Sequence, residues 1–466
     1  MKQQLQAIVK EAKESTSQLI RLFLPVLIEQ FFITIMAVIN TMLASRLGPD
    51  AISAIGTDGT IINVAISVFS ALSIGGTVVV AQYTGRGEYR KANQATALAL
   101  SATTAISIVT TIVVFIARTP LITGLFGDAD AVVIDHAIDY LSIVVFYFIP
   151  VAITTMGFGI LRGAGDVKTP MFISIFMNAL NVTLGWILIY GVNIPMIFFR
   201  IRFDGFGVKG AATALLIAQS VGMATVLFVL FRGNRSIKLR DKTLFRFDGK
   251  MLGRIFSLGV PAGAEQLMFN GGKLLVQTFI MALGTTAIAA NSVVNSATTL
   301  ILTPGNALAI IATTIVGQTY GSGDTAKTKK VMKFLFVASA VLLILSTLIF
   351  LPLRRPLLNL YTNDAATIDA AMPLLTAYLM VMPFLWAASF VIPAGLRGAG
   401  DVRFTMIVSV ISMWALRILL SYIFTIHLKM GVMGIWVAMY VDWLGRSVFF
   451  VPRMSGDRWL SRKTVD

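Results

Sequence analysis

Fifty consecutive residues, Leu274–Gly323, contain no Asp, Glu, Lys or Arg. Soluble chains carry about 25% charged residues, whereas this one carries 13%, with 56% hydrophobic residues. Folded in water, it would leave much apolar surface uncovered, so the expected solvent is lipid. Seven more charge-free runs follow the same pattern: Gly59–Gly85, Ala92–Ala117, Tyr140–Leu161, Thr169–Phe199, Gly210–Phe231, Phe334–Leu353 and Ala370–Leu396. A membrane-spanning helix needs about 20 mostly apolar residues. The longest run is therefore read as two helices meeting at Leu283-Gly284-Thr285-Thr286. Adding segments broken by single charges gives twelve expected helices, at 18–46, 51–82, 93–117, 133–160, 170–192, 208–231, 251–282, 285–319, 329–353, 368–395, 404–427 and 430–451. A transmembrane β-barrel needs short alternating strands, and these runs do not alternate. The expected fold is an all-α membrane protein.

The chain is also written twice. Leu161-Arg-Gly-Ala-Gly-Asp166 returns as Leu396-Arg-Gly-Ala-Gly-Asp401, 235 residues later. Pro25-x-x-x-Glu29-Gln30 returns as Pro261-x-x-x-Glu265-Gln266, and Gln82-Tyr-Thr-Gly-Arg-Gly-Glu88 as Gln318-Thr-Tyr-Gly-Ser-Gly-Asp324, both 236 residues later. An even number of helices per copy makes both copies enter the membrane in the same direction. Two six-helix lobes are expected, related by a pseudo-two-fold axis along the membrane normal, with a substrate path between them. The domains read as a cytoplasmic segment 1–17, a first lobe 18–231, a basic linker 232–250, a second lobe 251–452 and a tail 453–466. The duplication favours a transporter over a receptor, a channel subunit or a membrane enzyme.

The formal net charge of +16 is a topology signal. With both termini on one side, that side holds 28 of the 38 Lys and Arg residues, the other holds eight, and Lys273 and Arg417 fall within spans. Positive residues favour the cytoplasm, so both ends are expected there. Arg235, Lys238, Arg240, Lys242 and Arg246 in the linker suit anionic headgroups, and no nucleic-acid partner is expected. The polar start, Met1–Ser17, lacks the apolar core and cleavage site of a signal peptide. The chain has no cysteine and two distant histidines, His136 and His427, which argues against an enzyme and a metal centre. The Leu-Arg-Gly-Ala-Gly-Asp loops are not phosphate loops, since no strand precedes them and no Lys-Ser/Thr follows. They read as tight cytoplasmic turns, with the aspartate capping the next helix.

Twelve helices, paired Leu-Arg-Gly-Ala-Gly-Asp loops, paired Gln-x-x-Gly-x-Gly-Asp/Glu loops and paired Pro-x-x-x-Glu-Gln starts resemble the multidrug and toxic compound extrusion family over residues 18–450. The resemblance implies a secondary active exporter of amphipathic organic cations, driven by Na⁺ or H⁺ entry through alternating access. It implies a multi-pass monomer of the bacterial cytoplasmic membrane, with small-molecule substrates and no cofactor beyond the coupling ion. Relatives carry an aspartate eight residues before the glycine that ends helix 1, where this chain has Asn40. An Asn-x-x-x-Asp pair in helix 5 is here Asn181 and Gly185. Glu265 matches a membrane glutamate used in many relatives. A flippase for a lipid-linked precursor is the alternative; its cavity would need several basic residues to hold pyrophosphate.

An ionisable side chain inside a membrane costs about 2.5–3.5 kcal/mol on insertion scales and marks function by default. The candidates are Glu29, Asp58, Glu265, Lys273, Arg417 and Asp442. Glu265, near mid-membrane, is expected to bind the coupling cation or a cationic substrate, or else to pair with Lys273. Glu29, its repeat partner, is a second cation-coupling candidate or a packing residue. Asn291 and Asn295, with Thr298 and Thr299, share one face of helix 8 and offer oxygens to a cation, or else bond between helices. Asp58, Asn40, Asn181 and Lys273 complete the substrate-binding candidates, with Asp58 otherwise solvated near the outer mouth. Arg417 and Asp442 are expected to pair with each other. Pro25, Pro150, Pro261, Pro304, Pro383 and Pro393 are expected to bend their helices.

Overall fold

The computed structural model describes residues 2–45, 47, 49–126, 130–195, 200–203, 205–233 and 237–461. Apolar surface on every side and the need to satisfy the backbone internally make helices the only open solution in lipid. Twelve long helical segments result among the described residues. In the first half they are α1 (Lys2–Ser45), α2 (Pro49–Gly85) and α3 (Tyr89–Phe126). Then α4 runs from Ala131–Val144 through a 3₁₀ turn at Val145–Tyr147 into Phe148–Gly163, followed by α5 (Lys168–Tyr190) and α6 (Gly207–Arg232). In the second half, α7 is Gly249–Met281, α8 is Thr285–Ile301 with Thr303–Gly321, and α9 is Thr325–Phe350. The chain ends with α10 (Ala365–Trp386 through Ala387–Val391 to Ile392–Gly398), α11 (Val402–Ile411 through Leu419–Tyr422 to Ile423–His427) and α12 (Gly431–Ser455).

Each expected span coincides with one of these helices. Ten are long and apolar enough to cross a membrane alone, and the two halves of α8 make an eleventh. At 33 residues α7 is long enough too, but Glu265, Gln266, Asn270 and Lys273 make its middle more polar. One element departs from the all-α expectation. A small antiparallel hairpin, β1 (Val192–Pro195) with β2 (Arg200–Phe203), follows α5, with Val192 opposite Phe203.

Proline explains the sharpest break. The halves of α8 meet at 54°, where Pro304 lies in the first turn of the second half and cannot donate back to the first. In α10 a π-helical stretch, Ala387–Val391, precedes Pro393. In α11 the stretch Ser412–Ile418 is also π-helical, and it contains Arg417. A π-bulge rotates the side chains that follow it and recurs at functional sites. Pro25 and Pro261 lie within continuous helices.

The residues group into two compact units. The C-terminal unit is Met1–Phe31, Ala81–Glu88 and Ala264–Asp466, and the N-terminal unit is Phe32–Val80 and Tyr89–Gly263. The C-terminal core is aromatic: Tyr378 meets Trp436 and Trp443 edge-on at 5.8 and 5.9 Å. In the N-terminal unit, Phe69 of α2 packs on Phe148 of α4 at 6.2 Å, beside buried Tyr140 and Tyr147.

Two repeated motifs have a steric cause. In the C-terminal unit a Cβ on Gly85 would lie 2.0 Å from the Gln318 carbonyl oxygen, and one on Gly321 would lie 2.1 Å from that of Gln82. The two Gln-x-x-Gly copies thus pack backbone to backbone, which only glycine permits. The Leu-Arg-Gly-Ala-Gly-Asp copies form the same turn: Asp166 N–H donates to Leu161 O at 2.8 Å and Asp401 N–H to Leu396 O at 2.9 Å. Gly165 and Gly400 take φ of +89° and +96°, the left-handed residue that such a helix end requires.

Candidate functional site

In the N-terminal unit the buried acid is Asp58, on the third turn of α2. It is 0% exposed, which excludes solvation at an outer mouth. Neither carboxylate oxygen has a hydrogen-bond partner among the described residues. Tyr140 of α4 lies within range of its field. On the neighbouring helices Asn181 Nδ2 of α5 donates to Asn40 Oδ1 of α1 at 3.2 Å. The structure therefore joins Asn40, which stands where the resemblance expects an aspartate, to Asn181, the asparagine of the expected helix-5 pair. Among the described residues, a Cβ added at Gly185 would approach the Leu43 side chain at 3.6 Å.

In the C-terminal unit Glu265 of α7 is paired, though not with Lys273. Arg397 Nη1, from the last turn of α10, donates to its Oε1 at 3.2 Å and its Oε2 at 3.4 Å. The arginine read as a marker of the cytoplasmic side reaches back to the family glutamate. Glu29 is fully buried in the same unit. Asp401 also departs from expectation. Asp166 caps α5 through Thr169 N at 3.1 Å, whereas Asp401 accepts from Arg453 Nε at 2.8 Å and makes no cap on α11.

A separate polar cluster surrounds Phe269. Lys273 Nζ lies 4.8 Å from the ring centroid, and the guanidinium carbons of Arg446 and Arg417 lie at 5.3 and 5.9 Å. Asp442, 0% exposed, accepts from Arg446 Nε at 2.9 Å and from the Ser412 hydroxyl at 2.5 Å, and lies 3.9 Å from Arg417. The expected Arg417–Asp442 pair is thus the longer of two. Arg446 falls among the basic residues of the C-terminal end in the sequence; its spacing from Asp442, one helical turn, is the signal that marks the pair.

Beside the cluster lies a cavity of about 300 Å³, lined by Lys273, Gln277, Asn291, Asn295, Arg417 and Trp436 among others. Trp436 Nε1 donates to Asn291 Oδ1 at 3.2 Å, and Asn295 Nδ2 donates to Asn291 O at 3.0 Å. The Thr298 and Thr299 hydroxyls both donate to Asn295 O, at 2.9 Å. Of the oxygens proposed for a cation, Asn291 Oδ1 is engaged by Trp436, and the cations nearby disfavour another. Among the described residues no three His, Asp or Glu side chains cluster as a metal site.

Duplicated spanning helices carrying buried, partnered charges define a membrane transporter rather than an enzyme. The sequence pattern of the MatE family matches residues 25–187 and 261–423, two stretches that start 236 residues apart. The chain belongs to the MatE family. It is 27% identical to an uncharacterized transporter, YisQ, of Bacillus subtilis, over 97% of each chain. It is 25% identical to a probable multidrug resistance protein, NorM, of Thermotoga maritima, over 98% of this chain and 96% of that one. Its fold matches that of a MOP superfamily transporter from Pyrococcus furiosus, described as having a binding pocket of reversed polarity that suggests a different function. That match has a TM-score of 0.86, 20% identity and 96% and 97% coverage.

Proposed function

We propose that the chain is a secondary active exporter of small amphipathic organic molecules, driven by Na⁺ or H⁺ entry across a bacterial cytoplasmic membrane. Both termini face the cytoplasm, and one polypeptide suffices. The name multidrug resistance protein borne by the Thermotoga relative supports export. The observation that carries ion coupling is Asp58, a sealed carboxylate with neither oxygen hydrogen-bonded among the described residues. A buried charge without a partner is costly, so a cation arriving there changes the energy of the state that holds it. Coupling follows when cation and substrate prefer different states of one alternating cycle. Glu265 is already matched to Arg397 and serves as the second candidate.

A second reading, transport of a lipid-linked anionic precursor, is favoured by Lys273, Arg417 and Arg446 around one ring.

The test is substrate efflux from proteoliposomes under imposed H⁺ and Na⁺ gradients, applied separately. Asp58→Asn should abolish gradient-driven transport and leave downhill exchange intact. Full gradient response in that variant would remove Asp58 from coupling.

A further inference from the structure

The cavity of the C-terminal unit carries an excess of positive charge. Three cations, Lys273, Arg417 and Arg446, surround the Phe269 ring, and only the two arginines reach a carboxylate there, Asp442. That carboxylate is already held by Arg446 and Ser412. The other nearby acid of α7, Glu265, is engaged by Arg397. Among the described residues no carboxylate lies within 4.0 Å of Lys273, whose exposed side chain lines the cavity. Arg417, which also lines it, reaches Asp442 only at 3.9 Å.

The neutral groups point the same way. The Trp436 indole has a donor and no acceptor, so the Asn291 atom it meets must be the oxygen. That leaves the Asn291 NH₂ as the group on offer to a ligand. Asn295 spends one amide hydrogen on the Asn291 carbonyl and keeps the other. Cations and amide donors together match an anion. The apolar wall at Ile435 and Met439 matches a hydrophobic body attached to it.

We propose that this cavity is an anion site, in which Lys273 and Arg417 hold the carboxylate, sulfonate or phosphate group of an amphipathic molecule. Arg446 positions the pair by keeping Asp442 from neutralising Arg417. At about 300 Å³ the cavity has the size of a small ligand site, so it takes the head of the molecule. The proposal rests on the exporter reading for the direction of movement and stands apart from it for binding.

The experiment uses full-length protein in detergent micelles and equilibrium dialysis with three probes. Fluorescein is a soluble organic anion, dioctanoyl phosphatidic acid a lipid phosphate, and ethidium an organic cation. Wild type should bind at least one anionic probe, and ethidium should not compete. Lys273→Gln and Arg417→Gln should each weaken that binding at least tenfold. Lys273→Glu should gain ethidium binding, a change that misfolding does not produce. Lys329→Gln, on the far surface pair with Asp457, should bind as wild type. Fluorescein binding alone assigns the site to soluble anions, and phosphatidic acid alone assigns it to a lipid headgroup. Anion binding indifferent to both neutral variants, or ethidium binding in wild type that depends on Lys273, overturns the proposal. Loss of gradient drive in Asp58→Asn tests the exporter reading by itself, so either idea can fail while the other stands.

Discussion

The turn at residues 161–166 and the turn at residues 396–401 share sequence, backbone hydrogen bonds and a left-handed glycine. Their side chains diverge. Asp166 caps the next helix, while Asp401 is tied to Arg453 of α12 and makes no cap. Arg162 lies over the ring of Phe158, one turn back on its own helix, whereas Arg397 crosses to Glu265 of α7. The buried aspartates of the two units differ in the same way. Asp442 is tied to two arginines and a serine, and Asp58 has no partner among the described residues. An acid fully engaged by its surroundings holds helices together. An acid left without a partner stores an imbalance that a transported ion can relieve. Duplication thus preserved the backbone and freed the side chains to take separate work.

The largest expected effect separates the two aspartates. Asp442→Ala leaves buried Arg446 without its ion partner, a loss of about 3–5 kcal/mol. It should lower the thermal midpoint in detergent sharply. Asp58→Asn removes a charge that had no partner and should leave the midpoint unchanged or raised. If both variants lose stability alike, the contrast between a structural and a coupling acid is broken.

A smaller effect separates the turns. Asp401→Ala removes hydrogen bonds to a charged partner, about 2 kcal/mol, and Asp166→Ala removes a helix cap, about 1 kcal/mol. Thermal melts of the two single variants should rank in that order, and the reverse ranking would mean that the cap outweighs the tie to α12.

The smallest effect concerns pH at two helix starts. The Thr367 hydroxyl and N–H hold the Asp364 carboxyl below the usual carboxylate range at the start of α10. Its folded value is depressed, so its contribution is present above the unfolded value and fades as pH falls through the folded one. Asp130 at the start of α4 makes no side-chain cap. Protection of the amides at residues 366–368 should therefore fall as pH drops below about 4, with α4 as the internal control.

Much of the fold was legible because lipid simplifies the problem. A backbone that must satisfy itself makes run length sufficient to place a helix, and all twelve expected spans have their helix. Proline at 304 announced the bend in α8, because the missing N–H is local chemistry. The candidate site was legible only in part. Asn40, Asn181, Asp58, Glu29, Glu265 and Lys273 stood out as polar residues in apolar surroundings, and the structure places each of them within one of the long helices. Their partners did not stand out. Helices apolar all round give no periodicity from which to read a facing neighbour.

Helix number, helix spans, duplication and family follow from the sequence alone, because apolar length and repeated motifs are properties of the chain taken in order. The pairing of Glu265 with Arg397, the burial of Arg446 against Asp442 and the capture of the Asn291 oxygen by Trp436 were decided by tertiary structure. Each joins side chains 4 to 145 residues apart in sequence, and charge balance is set by which helix faces meet.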